Sequence, residues 1–316
     1  MRIIRNPNFN FIRWRWHAIA ISALIIVAGV ATAVSRGGLP LGVDFSGGTV
    51  VVVQFAQPTT EDTVRQALGP VGAQASVQRY GPVQDQSLVV RLPVEEGGEV
   101  GFNLNRASQQ VQEALRGAGI GDFTVIKTEI VGPTIGADLR RKGIWATLSA
   151  IGGILLYIGV RFRFAFAIGA VVATFHDILV TLAFLMWFGY DLTLNVVAAI
   201  LTIAGYSVND TIVVFDRVRE NQRLARREPL DQLVNRAVNQ TLARTVITAG
   251  TTFLAVSSLF VLGGEVLRGF AFTMLVGIAA GTYSTVFIAA AIAIVLSRRP
   301  PVTPGARAAA DARRRA

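Results

Sequence analysis

Cysteine is absent from the 316 residues, so disulfides and thiolate metal sites are excluded. Charge is scarce as well. Asp, Glu, Lys and Arg make up 16 % of the chain, against about 25 % in ordinary soluble domains. Acidic residues are outnumbered, 20 to 30, which leaves a net charge of +10. A surplus of that size raises the question of nucleic acid, but the arginines stand in short clusters beside apolar runs, the pattern that orients membrane spans. The first apolar run is followed by no small-residue cleavage site and is long enough to span, so it reads as a retained signal anchor. What the chain has in quantity is apolar surface: 52 % hydrophobic residues and a mean hydropathy of +0.50. These values describe a polytopic membrane protein with one polar domain.

Arg2, Arg5, Arg13 and Arg15 precede the first run, with Trp14 and Trp16 as interfacial anchors. Ala18 to Val34 is the first predicted span, near the lower length limit of about 17 residues. Residues 36–135 are polar and rich in turn formers. They predict a strand within Asp44 to Phe55, a helix from Thr59 to Leu68 and strands at Ala75 to Tyr80 and Ser87 to Leu92 around a Gly81-Pro82 turn. A helix from Asn105 to Arg116 and a strand from Phe123 to Ile130 complete the series. The order β-α-β-β-α-β is the ferredoxin-like split motif. Five further spans follow: Ile144 to Val160, Phe164 to Phe188, Leu192 to Asp216, Leu242 to Leu262 and Leu267 to Leu296. The fold class is therefore a six-span helical membrane protein with an α/β domain between spans one and two. Basic clusters at residues 161–163 and 217–227 predict cytoplasmic termini and an extracytoplasmic domain, and a basic Pro/Ala/Arg tail from Arg298 reads as disordered. Residues 229–241 carry Leu230, Leu233, Val234, Ala237 and Val238 at helical spacing, which predicts a separate amphipathic helix on the cytoplasmic surface. Gly269, Thr273, Gly277, Gly281 and Thr285 form a small-residue stripe that packs either within the chain or against a partner subunit.

Three polar sites interrupt the spans: His176-Asp177, Asn209-Asp210, and Arg244 with Thr248 one turn later. Ionisable groups at membrane depth are costly and by default mark ion or proton pathways. Counting at 1.5 Å per residue puts Asp210 roughly 10 Å from the inner end of its span and Asp177 roughly 20 Å into its own. Arg244 falls in the inner third, so Asp210 and Arg244 are plausible partners and Asp177 is a second station further out. A lone carboxylate in low dielectric favours its protonated form, and a nearby guanidinium reverses that, so a change in their separation switches protonation. Competing structural readings stay open: a static Asp210 ion pair, an Arg244 that snorkels to the surface, and a His176 that merely hydrogen-bonds across helices. Outside the spans, Gly42 to Thr49 joins span one to the first strand. Gly47 and Gly48 permit a tight turn there, and Asp44 can bond nearby backbone amides, which suggests a structural hinge. The glycine spacing lacks a following lysine and precedes a strand, so it is not a phosphate loop.

The blocks GVDFSGGT (42–49), VGPTIGADLRRKGIWA (131–146), FHD (175–177), GYSVNDTIVVFDRVREN (205–221), ARTVIT (243–248) and GFAFTMLVGIAAGTYST (269–285) together resemble the SecF branch of the SecD/SecF family. That family is similar to half of a twelve-span resistance-nodulation-division (RND) transporter. The resemblance implies a protein-export subunit of the bacterial cytoplasmic membrane that works with SecD as the other six-helix half. It further implies the SecYEG channel, the SecA ATPase acting earlier, unfolded preprotein and protons as coupling ion, with no nucleic acid and no cofactor. The family's proton path maps onto Asp210, Arg244 and Thr248, with Asp177, Asn209 and His176 beside it. No enzyme is implied: an intramembrane aspartyl protease would need its two aspartates at one depth, and Asp177 and Asp210 differ by roughly 10 Å. A half-size exporter of small molecules or lipids, and a non-transporting scaffold, remain as alternatives.

Overall fold

The computed structural model describes residues 7–69, 75–80, 83–92, 100–225 and 227–297. Arg2, Arg5, Arg226, the Gly81-Pro82 turn and the tail from Arg298 lie outside them. A short 3-10 turn, Ile12–Trp14, leads into α1 (Arg15–Ser35), the first span. A single helical turn, α2 (Val43–Ser46), then enters the sheet domain. That domain runs β1 (Gly48–Phe55), α3 (Glu61–Ala67), β2 (Ser76–Arg79), β3 (Ser87–Leu92), α4 (Val100–Gly117) and β4 (Phe123–Val131). The other spans are α5 (Pro133–Arg161), α6 (Phe164–Trp187), α7 (Leu194–Leu224), α8 (Leu230–Leu262) and α9 (Gly264–Ser284). The last continues through a π turn at Thr285–Ala289 into α10 (Ala290–Ser297). Six helical segments are long and apolar enough to cross a bilayer.

All four strands pair antiparallel in the order β2-β3-β1-β4, the ferredoxin-like arrangement. The run Val50-Val51-Val52-Val53 is apolar throughout because both faces of β1 are covered. Val51 and Val53 pack with Val64 of α3 and Val111 and Leu115 of α4. Val50 and Val52 pack on the other face with Val43 and Val89, over the α6–α7 connection. The Thr60 hydroxyl accepts from the Thr63 N–H and caps α3, as the Thr-Thr-Glu-Asp start predicts. Asp44 to Ser46, at the start of the predicted strand segment, instead belong to a helical turn. Gly47 and Gly48 follow at φ 70° and 126°, where a side chain would strain the backbone.

This junction is tied directly to the bundle. Gly42 N–H donates to Leu192 O at 2.9 Å and Leu192 N–H to Pro40 O at 2.7 Å. Asp44 Oδ2 accepts from the Leu194 N–H at 2.9 Å, which puts a carboxylate on the positive N-terminus of α7 rather than on its own turn. Arg36 Nη1 donates to Met186 O at 2.8 Å at the C-terminus of α6, the matching cationic cap. Arg91 of β3 pairs with Asp191 in the α6–α7 connection, and the Asp191 side chain is only 10 % exposed. Burial pushes the Asp191 carboxyl up from its ordinary value, opposed by the charge of Arg91.

In the bundle, α6, α7 and α9–α10 form the buried centre, α1 packs on α6, and α5 and α8 expose most of their apolar side chains. The small-residue stripe of α9 packs within the chain, against α7. Gly269 faces Val196, Gly277 faces Ile203 and Gly281 faces Ser207. A second difference concerns residues 230–241, which are not a separate surface helix. They are the first third of the 33-residue α8, and nothing in the sequence breaks it: Pro229 stands at its N-cap and no proline follows. Val234, Ala237 and Val238 bury in one core cluster with Phe166, Phe215 and Val286, and Leu230 packs against it.

A Cβ at Gly277 would collide with the Ile203 side chain, whereas one at Gly152 in α5 meets nothing. Gly277→Val should therefore cost about 1–3 kcal/mol from overpacking, and Gly152→Val should leave the melting temperature in detergent unchanged. At Asp191, folding binds a proton more tightly than the unfolded chain does. Its contribution to stability is therefore fully present below the ordinary carboxylate range and is lost as pH rises through the raised value. Thermal unfolding of Asp191→Asn should match the parent at acid pH and be at least as stable at pH above neutrality. Arg91→Ala should be destabilised there, because it leaves the buried carboxylate unpaired.

Candidate functional site

Asp177 is fully buried at the centre of four helices. Its Oδ2 accepts from the Ser207 hydroxyl of α7 at 2.5 Å and from the Ser284 hydroxyl of α9 at 2.8 Å. Its Oδ1 lies 2.9 Å from His176 Nδ1, and His176 Nε2 lies 2.8 Å from Ser22 Oγ in α1. Ser22 in turn bridges to the Tyr283 hydroxyl at 3.3 Å, which donates to Ala18 O at 2.7 Å. The Tyr283 ring stacks on the His176 ring with centroids 6.1 Å apart. One carboxylate and one imidazole thus link α1, α6, α7 and α9 without an unsatisfied carboxylate oxygen. Close approach makes this possible, since Gly281 and Ser207 sit side by side and a Cβ at 281 would stand 3.0 Å from that of Ser207. The π turn begins immediately after Ser284, and its Thr285 Oγ1 is 2.9 Å from Thr211 Oγ1. π turns interrupt α-helices chiefly where side chains must be re-aimed at sites.

Asp210 is half-buried on α7, and its surroundings are incomplete. Its Oδ1 accepts from the Thr245 hydroxyl of α8 at 2.7 Å, while its Oδ2 is buried without a partner among the described residues. Arg244 is near enough to act on Asp210 electrostatically but forms no ion pair with it. Arg244 is exposed and lines a cavity of about 550 Å³ between α7 and α8, together with Asn209, Asp216, Arg217 and Gln240. Thr248 donates to the Arg244 and Thr245 carbonyls of its own helix, at 2.9 and 3.1 Å, and does not reach Asp210. Asp216 lies inside α7, about two turns before its end, and pairs with the last residue of α5: Arg161 Nη2 donates to both its oxygens at 3.0 and 3.1 Å. The structure therefore brings His176 and Asp177 together in one cluster and Asp210 with Thr245 in another. Arg244, Thr248 and Asn209 stand on the outward face beside the second cluster. Thr245, Ser207, Ser284, Ser22 and Tyr283 are site residues that sequence reading missed. Hydroxyls in apolar helices usually bond their own backbone, so residue type alone does not flag them.

Six spans, a ferredoxin-like domain between the first two and carboxylates buried at membrane depth define a polytopic membrane protein built as one transporter-type helical bundle. Residues 110–299 match the family model described as protein export membrane protein SecD/SecF, C-terminal, and residues 36–59 match the SecD/SecF GG motif. The protein translocase subunit SecF of Rhodothermus marinus is 40 % identical over 307 residues, which cover 95 % of this chain and 96 % of that protein. That of Escherichia coli O157:H7 is 38 % identical, covering 92 % and 88 %. The chain belongs to the SecD/SecF family, on its SecF side. The crystal structure of SecDF from Thermus thermophilus superposes with a TM-score of 0.81 at 35 % identity, covering 93 % of this chain. SecDF in a super-membrane-facing form superposes with a TM-score of 0.65 at 34 % identity. The chain spans only 39 % and 41 % of those two SecDF chains. Within this frame the GG motif covers the junction at residues 42–49 that the bundle holds.

Removing the Asp177 carboxylate leaves Ser207 and His176 Nδ1 without their buried partner, while Ser284 keeps the Gly281 carbonyl at 3.2 Å, so Asp177→Ala should lower stability by roughly 3–5 kcal/mol. Asp177→Asn, which keeps the shape, should lose less, and thermal unfolding in detergent measures both. At the second cluster, Thr245→Val should shift the infrared carboxyl band of isotope-labelled Asp210, and Thr248→Val should leave it in place.

Proposed function

We propose that this chain is one six-helix half of a SecD–SecF assembly that uses the proton gradient to promote preprotein movement through SecYEG, after the SecA step. The observation that carries the reading is the unfinished coordination of Asp210. A membrane carboxylate with one oxygen buried and unpaired stands beside an exposed polar face made of Asn209, Arg244 and Thr248. Exposed polar groups on a membrane helix are costly in lipid, so that face calls for cover by a second set of helices, which SecD supplies. The length ratio to the fused SecDF chains supports the same division.

In this reading Asp210 is the proton carrier. Arg244 favours its ionised form when close, and Thr245 holds the carboxylate in position through its hydroxyl. Thr248, one turn from Arg244, faces the entering helices. Movement of SecD helices against α7 and α8 alters the Asp210–Arg244 separation and the access of water, and so alternates proton uptake and release. Each elementary charge crossing the field releases about 2.3 kcal/mol per 100 mV, enough to bias a two-state arrangement. Asp177, fully satisfied, is the fixed station of the path and holds the bundle against which the moving half works. The arginines at residues 161–163 and 217–227 support a cytoplasmic position for that end, and with it an α/β domain outside, where in this reading the emerging preprotein is met.

Asp210→Asn keeps size and removes the titratable proton. Preprotein import into inverted membrane vesicles carrying the variant should fall to the level seen without a gradient, while the SecD complex still assembles. Full gradient dependence in the variant would exclude proton coupling at this position, and loss of the complex would favour a scaffold.

A further inference from the structure

At the end of the bundle away from the α/β domain lies a cavity of about 1030 Å³. Four arginines line it, Arg13, Arg15, Arg217 and Arg236, against a single acid, Asp231. Two of the four are already neutralised: Arg236 pairs with Glu228, and Arg217 bonds Glu220 and Gln240 at 2.6 and 2.7 Å. Arg13 and Arg15 have no carboxylate partner among the described residues, and Arg15 Nε is buried with no acceptor at all. A guanidinium nitrogen removed from water without an acceptor is expensive, and an anionic acceptor satisfies it best.

The wall that presents these arginines is rigid. Asn239 holds Phe9 by both amide atoms, Oδ1 accepting its N–H and Nδ2 donating to its carbonyl, each at 2.9 Å. Asn235 Oδ1 accepts the Phe11 N–H at 2.9 Å. The N-terminal segment is thus laid along α8 like an added strand of fixed register, and Arg13 and Arg15 follow it at set positions. The cavity stands at the level of the bilayer surface. Trp16 lines it, Trp16 and Trp14 are each 60 % exposed, and Arg15 stacks over the Trp16 indole at 5.7 Å. Exposed tryptophans mark the headgroup layer, and basic pockets between membrane helices at that layer fit phosphate-bearing headgroups.

We infer that this cavity binds the phosphate of an anionic phospholipid headgroup, with Arg13 and Arg15 as its main ligands. The inference does not rest on proton coupling. A headgroup bound there joins the start of α1 to the base of the α7–α8 hairpin from the lipid side.

The test uses the delipidated full chain in detergent, titrated with phosphatidylglycerol or phosphatidylcholine, with bound lipid counted by native mass spectrometry. Phosphatidylglycerol should bind in preference, and the double variant Arg13→Gln/Arg15→Gln should weaken it about tenfold or more, from two arginines near the surface. Arg223→Gln, which removes an exposed charge outside the cavity, should retain parental affinity. Asp231→Asn should tighten binding, which a misfolded variant would not do. Equal affinity of the double variant and the Arg223 control, or no preference for phosphatidylglycerol, would overturn the site. Displacement of the lipid by an equal concentration of inorganic phosphate would overturn the lipid assignment in favour of a free anion.

Discussion

The structure depends on one buried carboxyl group. Asp177 sits where α6, α7 and α9 meet, and its carboxylate is met by Ser207, Ser284 and His176. In hydrocarbon such a group is tolerated only when every oxygen is answered, so the partners must arrive together and at bonding distance. That demand explains why Gly277 and Gly281 lie on the α7 side of α9, since bulkier residues would hold Ser284 and Ser207 apart. The same demand fixes α1, through the His176–Ser22 contact, although α1 shares little buried surface with the remainder.

Asp210 is the opposite case. It lies one helical turn from Ser207 on the same helix, yet one of its oxygens is bonded and the other is not. A protein that satisfies one membrane carboxylate so fully has the means to satisfy another. The contrast separates a carboxyl group that holds helices together from one whose surroundings are left incomplete. The surrounding surface agrees: the first lies in the middle of the chain's own core, the second opens toward α8 and its exposed polar residues. In a monomeric bundle that exposure would be a defect; in half of a larger assembly it is an interface.

Much of this was legible beforehand, for reasons that can be named. The element order of residues 48–131 follows from period-two patterns, caps and glycine turns, and these depend on neighbours a few residues apart. The depth argument placed Asp210 and Arg244 at one level because helical rise is constant. What sequence could not show was which hydroxyl faces which carboxylate. Thr174, Thr202, Thr248 and Thr251 bond their own helix, while Thr245 and Ser207 cross to another, and nothing local distinguishes them. Splitting residues 230–241 from their span had a different cause. Their apolar spacing suggests a helix lying on the surface, but helices end at caps and breakers, and neither proline nor glycine stands between Val238 and Leu242. Asp44 is singled out as a hinge residue that bonds backbone amides nearby, but its partner Leu194 is 150 residues away, which no local pattern shows.

The uninterrupted length of α7 and α8 has a mechanical meaning. At 31 and 33 residues they measure roughly 46 and 50 Å, against a hydrocarbon core of about 30 Å. Some 15–20 Å of paired helix therefore extends past the hydrocarbon at the end away from the α/β domain, first through the headgroup layer. Leu230 is fifteen residues from Thr245, an arm of roughly 22 Å with no joint in it. Any rocking of α8 about the Asp210–Thr245 contact is enlarged at that tip, as by a lever on its fulcrum. The N-terminal segment, clipped to Asn235 and Asn239 on the arm, must travel with it.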